Sequence, residues 1–391
     1  MSMESKRRKP VPVWMIWANP IMRRYARSRL RPAGLGIWAL MVLLIAGFMF
    51  FAIRGAAMRN GMMELVDAAR IPIIPLLFLQ GIVLFVLATG QVAGAMTAEA
   101  DEGVLDYQRL APMTPLSKVV GYLFGLPIRE WLLFVLTLPF TVISMVQGEV
   151  PLRIGLQVYA VFVAAAVLYH LTGLLAGTVM KNRRWAFLSS MGLVFILYTV
   201  LPYAAKFGLV YFKYVTITPV VEESLSSLVP RRAGAVVETV QELLPTAKFF
   251  GLNFPQAAFT LLSMGVLILV MVTMLWRRWR RRESHLLGKI GAVVLFGWIQ
   301  LVLLGNALPL IPSGDLFPSR EMNRRFGRFL ENPRGGWSPD PGEATFMIGF
   351  FGFVSVVILW WMALLITPDH EGQVRGWRRV RKLGKTRLLP W

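Results

Sequence analysis

Residues 98–118 carry the side chains of this chain that are best suited to polar chemistry. The acids of this segment are Glu99, Asp101, Glu102 and Asp106. Helical spacing brings Val104, Leu105 and Gln108 near one another, and two prolines interrupt the helix before the next apolar stretch. A short helix with acidic and apolar side chains, held between two apolar stretches, is suited to docking a soluble protein. An ordinary solvated loop is the alternative.

A second group of ionisable residues, Arg129 and Glu130, lies within an apolar block over residues 119–145. A charge at membrane depth costs several kcal/mol unless it is paired or hydrated. Adjacent residues on a helix do not face each other. We therefore expect each to find a partner on another span or to line a polar vestibule. If the span begins as late as Arg129, both residues would instead be interfacial.

The chain lacks the residue sets that support metal binding or catalysis. It has no cysteine, and its three histidines, His170, His285 and His370, are too scattered for a metal cluster. Residues 379–386 end like a phosphate-binding loop, but Arg379 replaces the required first glycine and too few residues follow for the helix. Hydrolase motifs are also missing from the sequence. We expect no enzymatic activity and no bound cofactor on this chain.

Long apolar helices must position these residues. The chain of 391 residues is 56% hydrophobic and 16% charged, whereas soluble domains are about 45–50% apolar and about 25% charged. Eight stretches reach the roughly 20 apolar residues that cross a bilayer. They are Ala33–Ile53, Ile73–Ala95, Val119–Met145, Ile154–Val179, Trp185–Ala205, Gln256–Leu275, Leu287–Leu308 and Thr345–Thr367. The predicted fold class is all-α, a polytopic helical membrane protein with about eight transmembrane helices.

The distribution of the +21 net charge predicts the orientation of these helices. With a cytoplasmic N-terminus, eight spans leave 27 Lys and Arg residues in cytoplasmic segments, 14 in outer segments and Arg129 within a span. This asymmetry follows the positive-inside rule and predicts that both termini are cytoplasmic. Attraction to anionic membrane lipid explains the basic segments, and nucleic acid is not expected as a partner.

Several segments outside the spans have patterns of their own. Residues 1–32 form a basic tail and a short amphipathic helix, which an Asn-Pro pair starts and which should lie in the membrane interface. The outer loop 206–255 is too long for a simple connection, so short helices are expected there, one of them over Ala233–Leu244. The outer loop 309–344 is expected to be irregular. Close helix packing is expected at the G-x-x-x-G pairs Gly90 and Gly94, Gly121 and Gly125, and Gly173 and Gly177.

Three motifs in roughly the first 280 residues follow a known pattern. The segment A-N-P-I-M-R-R-Y-A-R-S-R-L-R precedes the first span. It is similar to the N-P-x-x-x-R-E-x-x-x-R elbow helix of the type-2, exporter-like permease family of ATP-binding-cassette (ABC) transporters. The segment A-E-A-D-E-G-V-L-D-Y-Q-R-L-A-P-M-T-P-L-S-K-V-V-G resembles that family's A-x-E-x-E-x-G-T-L-x-x-L-L-x-T-P-L-S-x-x-x-I-V-x-G-K loop. The segment L-P-I-R-E-W-L-L resembles the third span of such permeases, which often carries an Arg-Glu pair.

The resemblance implies that the loop 97–118 is a coupling helix, which docks on a cytoplasmic ATPase subunit. Val104 and Leu105 would insert into that subunit, and Glu99 and Glu102 would make polar contacts with it. The full set of residues expected at this contact is Glu99, Asp101, Glu102, Gly103, Val104, Leu105, Leu110, Thr114 and Pro115. The sequence departs from the family in having Val after the glycine, Gly-Tyr in place of Gly-Lys, and two spans beyond the usual six.

The function implied is that of a membrane-spanning permease subunit of an ATP-driven exporter in the inner membrane of a bacterium. Residues 33–280 would form a six-span core, 281–367 two additional spans and 368–391 a basic cytoplasmic tail. A second copy or a related permease would complete the membrane part, and ATP and Mg would bind to the partner ATPase subunits. The alternatives are a membrane-anchored assembly factor or membrane enzyme without an ATPase partner, and a secondary transporter.

Overall fold

Apolar helices dominate the part of the chain that the structure, a computed structural model, describes. The described residues are 15–59, 64–200, 209–230, 246–280, 286–310 and 341–366, together with Val374, Trp377, Arg378, Arg381 and Lys382.

The secondary structure follows the apolar blocks of the sequence. The α-helices are Pro20–Arg29 (α1), Pro32–Arg59 (α2), Leu65–Arg70 (α3), Ile73–Gly81 (α4), Ala88–Asp101 (α5), Val104–Leu110 (α6), Pro115–Gly125 (α7), Ile128–Gln147 (α8), Leu152–Val179 (α9), Arg183–Thr199 (α10), Thr218–Leu228 (α11), Gln256–Arg280 (α12), Lys289–Ala307 (α13) and Pro341–Ile366 (α14). Short 3₁₀ helices cover Ile16–Ala18, Val210–Val215 and Leu308–Leu310, and a π-helical turn covers Ile82–Leu87. The strands are Ala247–Phe249 (β1) and Leu252–Phe254 (β2).

Six helical runs among the described residues are long and apolar enough to cross a membrane. They are Pro32–Arg59, Leu65–Asp101, Ile128–Gln147, Leu152–Val179, Gln256–Arg280 and Lys289–Ala307. These runs overlap six of the eight predicted stretches, so the predicted class of a helical polytopic membrane protein is confirmed. The fifth predicted stretch corresponds to α10, which is 17 residues long, and the eighth corresponds to α14, whose described apolar part is Ile348–Ala363.

Several sequence predictions concern residues outside the described part of the chain. They include the expected helix Ala233–Leu244, residues 311–340 of the expected irregular loop, and most of the basic C-terminal tail. The described residues themselves group into two compact units. The first comprises those within Met1–Phe195, Val220–Leu243 and Met264–Arg280, and the second comprises those within Ile196–Pro219, Leu244–Ser263 and Arg281–Trp391.

The central element of the first unit is the continuous helical run from Leu65 to Asp101. Its α4 part packs mainly against α8, whereas its α5 part packs along α9. The change of partner occurs across the π-helical turn Ile82–Leu87, where the Ala88 N–H donates to the carbonyl of Val83, five residues earlier. A π turn holds one residue more than an α-turn would. The turn therefore allows one helix to present different faces to two neighbours.

Small residues allow the close contact between α5 and α9. A Cβ atom at Gly173 would lie 2.8 Å from the carbonyl oxygen of Thr89, and one at Gly177 would lie 2.8 Å from the carbonyl oxygen of Ala93. Neither position has room for a side chain, so the two helices approach backbone to backbone. This G-x-x-x-G pair has the packing role that its spacing predicted.

The second unit has its own aromatic core. Its buried apolar residues are Leu209, Val210, Tyr211, Tyr214, Ala247, Phe259, Val302 and Leu303. The rings of Tyr214 and Phe259 meet edge to face, with centroids 4.7 Å apart. Such aromatic pairs add stability beyond the burial of their area.

A small hairpin completes this second unit. Strands β1 and β2 pair antiparallel, with Lys248 opposite Asn253. Phe250 and Gly251 form the turn with positive φ values of 46° and 84°, a region that glycine enters without strain. The Phe250 N–H donates to the Gly305 carbonyl at 2.8 Å and fixes the hairpin to α13. The sequence led us to expect only short helices in this loop, so the hairpin is a correction.

Candidate docking site

The segment that follows the long helix Leu65–Asp101 forms a helical turn, the short helix α6 and a return into α7. Gly103 adopts a left-handed conformation with φ 72° and ends α5, as glycine does at helix C-termini. Thr114 Oγ1 accepts from the Ser117 N–H at 3.2 Å, and Pro115 occupies the first turn of α7. Gly103, Thr114 and Pro115 thus have backbone roles, because Gly103 separates α5 from α6 and the other two begin α7.

The predicted docking residues differ widely in their exposure. The exposed ones are Asp101, Glu102, Gly103, Leu110 and Thr114, the intermediate ones are Val104 and Pro115, and the buried or nearly buried ones are Leu105 and Glu99. Tyr107, which the sequence analysis did not single out, is 74% exposed, and Leu110 is 84% exposed. Two large apolar side chains therefore extend from α6 into solvent.

Leu105 lies on the opposite face of α6, inside the chain. Its side chain is 7% exposed and belongs to the same apolar cluster as Tyr122 of α7 and Trp279 of α12. The expectation that Leu105 inserts into a partner protein is therefore corrected. Val104, Leu105 and Gln108 share a face of α6 by their spacing, and on that face Leu105 packs against other helices of this chain.

Glu99 joins three elements near the end of α5. It accepts hydrogen bonds from Arg24 and Tyr25 of α1, and from the Tyr122 hydroxyl of α7 at 2.5 Å. Burial and the Glu99 carboxylate raise the pKa of Tyr25, so this phenol stays protonated and remains a donor. The polar contact that we expected Glu99 to make with an ATPase is thus replaced by contacts within the chain.

Trp279 forms the support beneath α6. Its ring stacks on that of Tyr122 with centroids 5.3 Å apart, and the cationic groups of Arg109 and Lys118 lie 6.0 Å and 5.9 Å from its ring centroid. The Lys118 ammonium donates to the carbonyl oxygen of Arg109 at 3.1 Å. Desolvation and the neighbouring Arg109 charge lower the pKa of Lys118. The sequence analysis missed Trp279, although a tryptophan within a basic run at a span end is a recognisable signal.

Asn19 joins α1 to α7 through hydrogen bonds. Its side-chain oxygen accepts from the Ile21 N–H at 3.0 Å, which is the predicted N-cap. Its Nδ2 donates to the carbonyl oxygen of Ser117 at 2.7 Å and to the Ser117 hydroxyl at 3.2 Å. A Cβ atom at Gly121 would lie 2.7 Å from the Asn19 side chain, so the glycine leaves the space that Asn19 needs to bond to Ser117.

Arg129 and Glu130 lie in the first turn of α8, which begins at Ile128, so the structure has the late start of the helix that was one of the expected arrangements. Arg129 donates through Nη2 and Nε to Oε1 of Glu130 at 2.6 Å and 3.1 Å, although the two residues are adjacent on α8. The long Arg129 side chain turns back to reach its neighbour, and its guanidinium also lies 5.2 Å from the ring centroid of Trp38. Glu130 is 1% exposed. Arg129 therefore compensates the burial of Glu130 through Oε1, whereas Oε2 has no hydrogen-bond partner among the described residues, and Trp38 on α2 supplies a contact with Arg129 from another span.

Further polar side chains lie buried between the spans of the first unit. Gln80 donates to Thr141 Oγ1 and accepts from the Tyr159 hydroxyl, both at 3.0 Å. The Nε2 atom of His170 lies 3.0 Å from the carbonyl oxygen of Leu84, which belongs to the π turn. Single polar residues in apolar stretches have no spacing signal, and the sequence analysis missed this network for that reason. Buried polar side chains within apolar helices are uncommon and often functional.

The short helix α6 and the turn before it thus carry exposed apolar and acidic side chains. Among the described residues, no group of three or more His, Cys, Asp or Glu side chains could hold a metal ion. Comparisons with protein-family models, curated proteins and solved structures find no match to this chain.

Proposed function

We propose that this chain is the membrane-spanning permease subunit of an ATP-driven ABC transporter of the exporter-like class. The observation that supports the proposal is the form of residues 98–118. A short helix carries exposed Tyr107 and Leu110 on one face and buries Leu105 on the other. Its base is joined to α1, α7 and the end of α12, so a force applied to α6 is transmitted directly to several helices.

The exposed tip of α6 has the composition of a protein contact. Tyr107 and Leu110 supply apolar area, and Asp101 and Glu102 supply carboxylates beside it. Aromatic anchors with a charged rim are typical of energetically important contacts. In the proposed complex, this tip docks on a cytoplasmic ATPase subunit, which binds ATP and Mg. Closure of the ATPases then shifts the helices between inward-open and outward-open arrangements.

The rest of the chain has a defined place in this proposal. Eight spans cross the inner membrane of a bacterium, both termini are cytoplasmic, and α1 lies in the interface as the elbow helix. The buried face of α1, formed by Ile21, Met22 and Tyr25, supports this placement because its other face is rich in arginine. A second copy or a related permease completes the membrane part. The buried Gln80–Tyr159 network is a candidate section of the transport pathway.

The test is co-purification of the ATPase with variants of the α6 tip. The double substitution Tyr107→Asp and Leu110→Asp should reduce co-purified ATPase, identified by its ATP hydrolysis and by mass spectrometry, by about tenfold or more. Burying a large apolar side chain contributes roughly 1.5–3 kcal/mol to such a contact. Membrane insertion should be unchanged, since both side chains are exposed in this chain.

The matched control is Leu252→Asp in β2, because Leu252 is an exposed leucine, at 62%, on a different part of the chain. This control should retain the ATPase fully. The proposal fails if wild-type protein in mild detergent brings down no ATPase. It also fails if the double variant binds the ATPase as well as the control does.

A further inference from the structure

A cleft between α5 and α10 in the first unit combines a cationic mouth with an apolar wall. It is lined by Gln91, Gly94, Ala95, Arg183, Arg184, Phe187 and Leu188. Arg183 and Arg184 are exposed and lie in the first turn of α10, where the helix dipole disfavours cations. Asn182 caps that turn by accepting from the Arg184 N–H at 2.9 Å. Placing two cations here costs stability unless an anion is nearby.

A third arginine, Arg29 of α1, contacts Gln91, which is one of the residues that line the cleft. In the amide orientation that satisfies its hydrogen bonds, Gln91 accepts from the Arg29 guanidinium. Arg29 also lies within electrostatic range of Arg183 and Arg129, and Glu130 is the acid that acts on it. Positive charge therefore exceeds negative charge at this position. Guanidinium groups bind phosphate through two parallel hydrogen bonds, so the cleft has the chemistry of a phosphate site.

The side chains around the cleft favour a phosphate group that is attached to acyl chains over a free phosphate. Trp185 is 64% exposed and Leu188 is 55% exposed, and both lie on α10 beside the arginines. Exposed tryptophan next to arginine is typical of the level at which lipid headgroups meet the acyl chains. A ligand that places a phosphate among the arginines would thus lay its apolar part along Leu188 and Phe187.

We infer that this cleft binds the headgroup of an anionic phospholipid from the leaflet in which α1 lies. The inference does not depend on the proposed transport function, because it rests only on charge and exposure around α10. The bound lipid would offset the repulsion among Arg29, Arg183 and Arg184. It would also connect α1 and α10 through one headgroup.

The absence of cysteine from the chain allows a site-specific test. Leu188→Cys in the full chain is labelled with a fluorophore and reconstituted in phosphatidylcholine vesicles that contain phosphatidylglycerol. Two preparations are compared. In the first, the phosphatidylglycerol carries brominated acyl chains, and in the second, an equal amount of the phosphatidylcholine carries them. Bromine quenches a fluorophore that it contacts. We expect several times stronger quenching by phosphatidylglycerol. Each arginine near the membrane surface should increase the preference for phosphatidylglycerol about fivefold, which is equivalent to about 1 kcal/mol.

Two variants and a second label position control for other effects. Arg183→Gln with Arg184→Gln should remove the preference, whereas Arg183→Lys with Arg184→Lys should retain most of it because the charge is kept. A label at Leu156→Cys, which is also exposed at 61% but near the start of α9, should show no preference.

Three results would overturn the inference. The first is equal quenching by the two lipids at Leu188→Cys. The second is an unchanged preference in the double glutamine variant. The third is loss of the preference on adding inorganic phosphate, beyond that caused by chloride at equal ionic strength, which would identify a site for free phosphate instead.

Discussion

Glu99 is the residue on which the junction below α6 depends most. One carboxylate accepts from Arg24, Tyr25 and Tyr122, which belong to two different helices. Its side chain is only 13% exposed, whereas that of Arg24 is 40% exposed. Because Arg24 is well hydrated, the ion pair itself contributes little, and the buried phenol contacts contribute more.

We predict that Glu99→Gln destabilises the protein. The amide keeps the shape of the side chain but removes the negative charge that attracts three donors. Hydrogen bonds to charged groups are worth about 1.5–3 kcal/mol, and a loss of that order is expected. Thermal unfolding of the purified protein in detergent measures it. Asp101→Asn is the control because Asp101 is exposed, and equal shifts in the two variants would contradict the assignment.

At the residue scale, the sequence predicts a residue's role when that role depends only on the residue's own helix. The Asn19 cap was predicted because an N-cap needs only its own helix, and the Asn-Pro pair specifies it. The roles of Glu99 and Leu105 were not predictable in this way. Helical spacing shows which residues share a face of α6, but not whether that face meets the chain itself or a partner. Only the position of Trp279 beneath α6 decides that question.

At the scale of elements, the atoms around a glycine show whether two helices approach closely at that position. Gly177 on α9 faces the backbone of α5, with the Ala93 carbonyl oxygen 2.8 Å and the Met96 Cβ 2.6 Å from where its own Cβ would lie. Gly192 on α10 has no atom within 4 Å of that position. The two glycines therefore differ in what a methyl group would meet, although both lie inside helices.

We predict that alanine substitutions at these two glycines have opposite signs. Gly177→Ala should destabilise by about 1–3 kcal/mol, because overpacking a closed contact forces the helices apart. Gly192→Ala should be neutral or stabilise by about 0.5–1 kcal/mol, since alanine loses less conformational entropy in a helix. Unfolding of the two purified variants in the same detergent would decide this. A stabilised Gly177→Ala protein would mean that α5 and α9 are less close than described.

Sequence reasoning predicted the elements well where hydrophobic length determines them. Six predicted stretches correspond to long apolar helices, although the third of them is divided between α7 and α8. The hairpin of β1 and β2 was missed, because strands of three residues show no alternation. The π turn Ile82–Leu87 was also missed, since its apolar residues fit an α-helix equally well.

At the scale of the whole molecule, the asymmetric charge predicts which loops face the cytoplasm. We expect a thiol introduced by Ser226→Cys to react with an impermeant reagent added outside intact cells. A thiol introduced by Ser284→Cys should react only after the membrane is opened. Because the natural chain has no cysteine, each variant reports one position. The reverse pattern would invert the proposed orientation of all eight spans.

The overall class of the protein could be predicted because long apolar stretches admit few architectures. The transported substrate could not be predicted, since it would contact side chains brought together from several helices. Gln80, Thr141 and Tyr159 show why: they come from three different helices and meet through hydrogen bonds. Such a group has no signature along the sequence.

The π turn in the long helix also determines how this chain tolerates length changes. An α-helix rotates about 100° per residue, and a π turn holds one residue more than an α-turn. If Ile82–Leu87 became α-helical without losing a residue, everything beyond it would therefore turn by about that angle. Gly90 and Gly94 would leave Phe187 and Arg183 of α10, and Glu99 would leave α1. The turn therefore fixes the rotational phase between two halves of one helix. In related chains, a single-residue gap at this position would therefore be compatible with the same packing of α5, whereas a gap within the α-helical part would rotate α5 away from its neighbours.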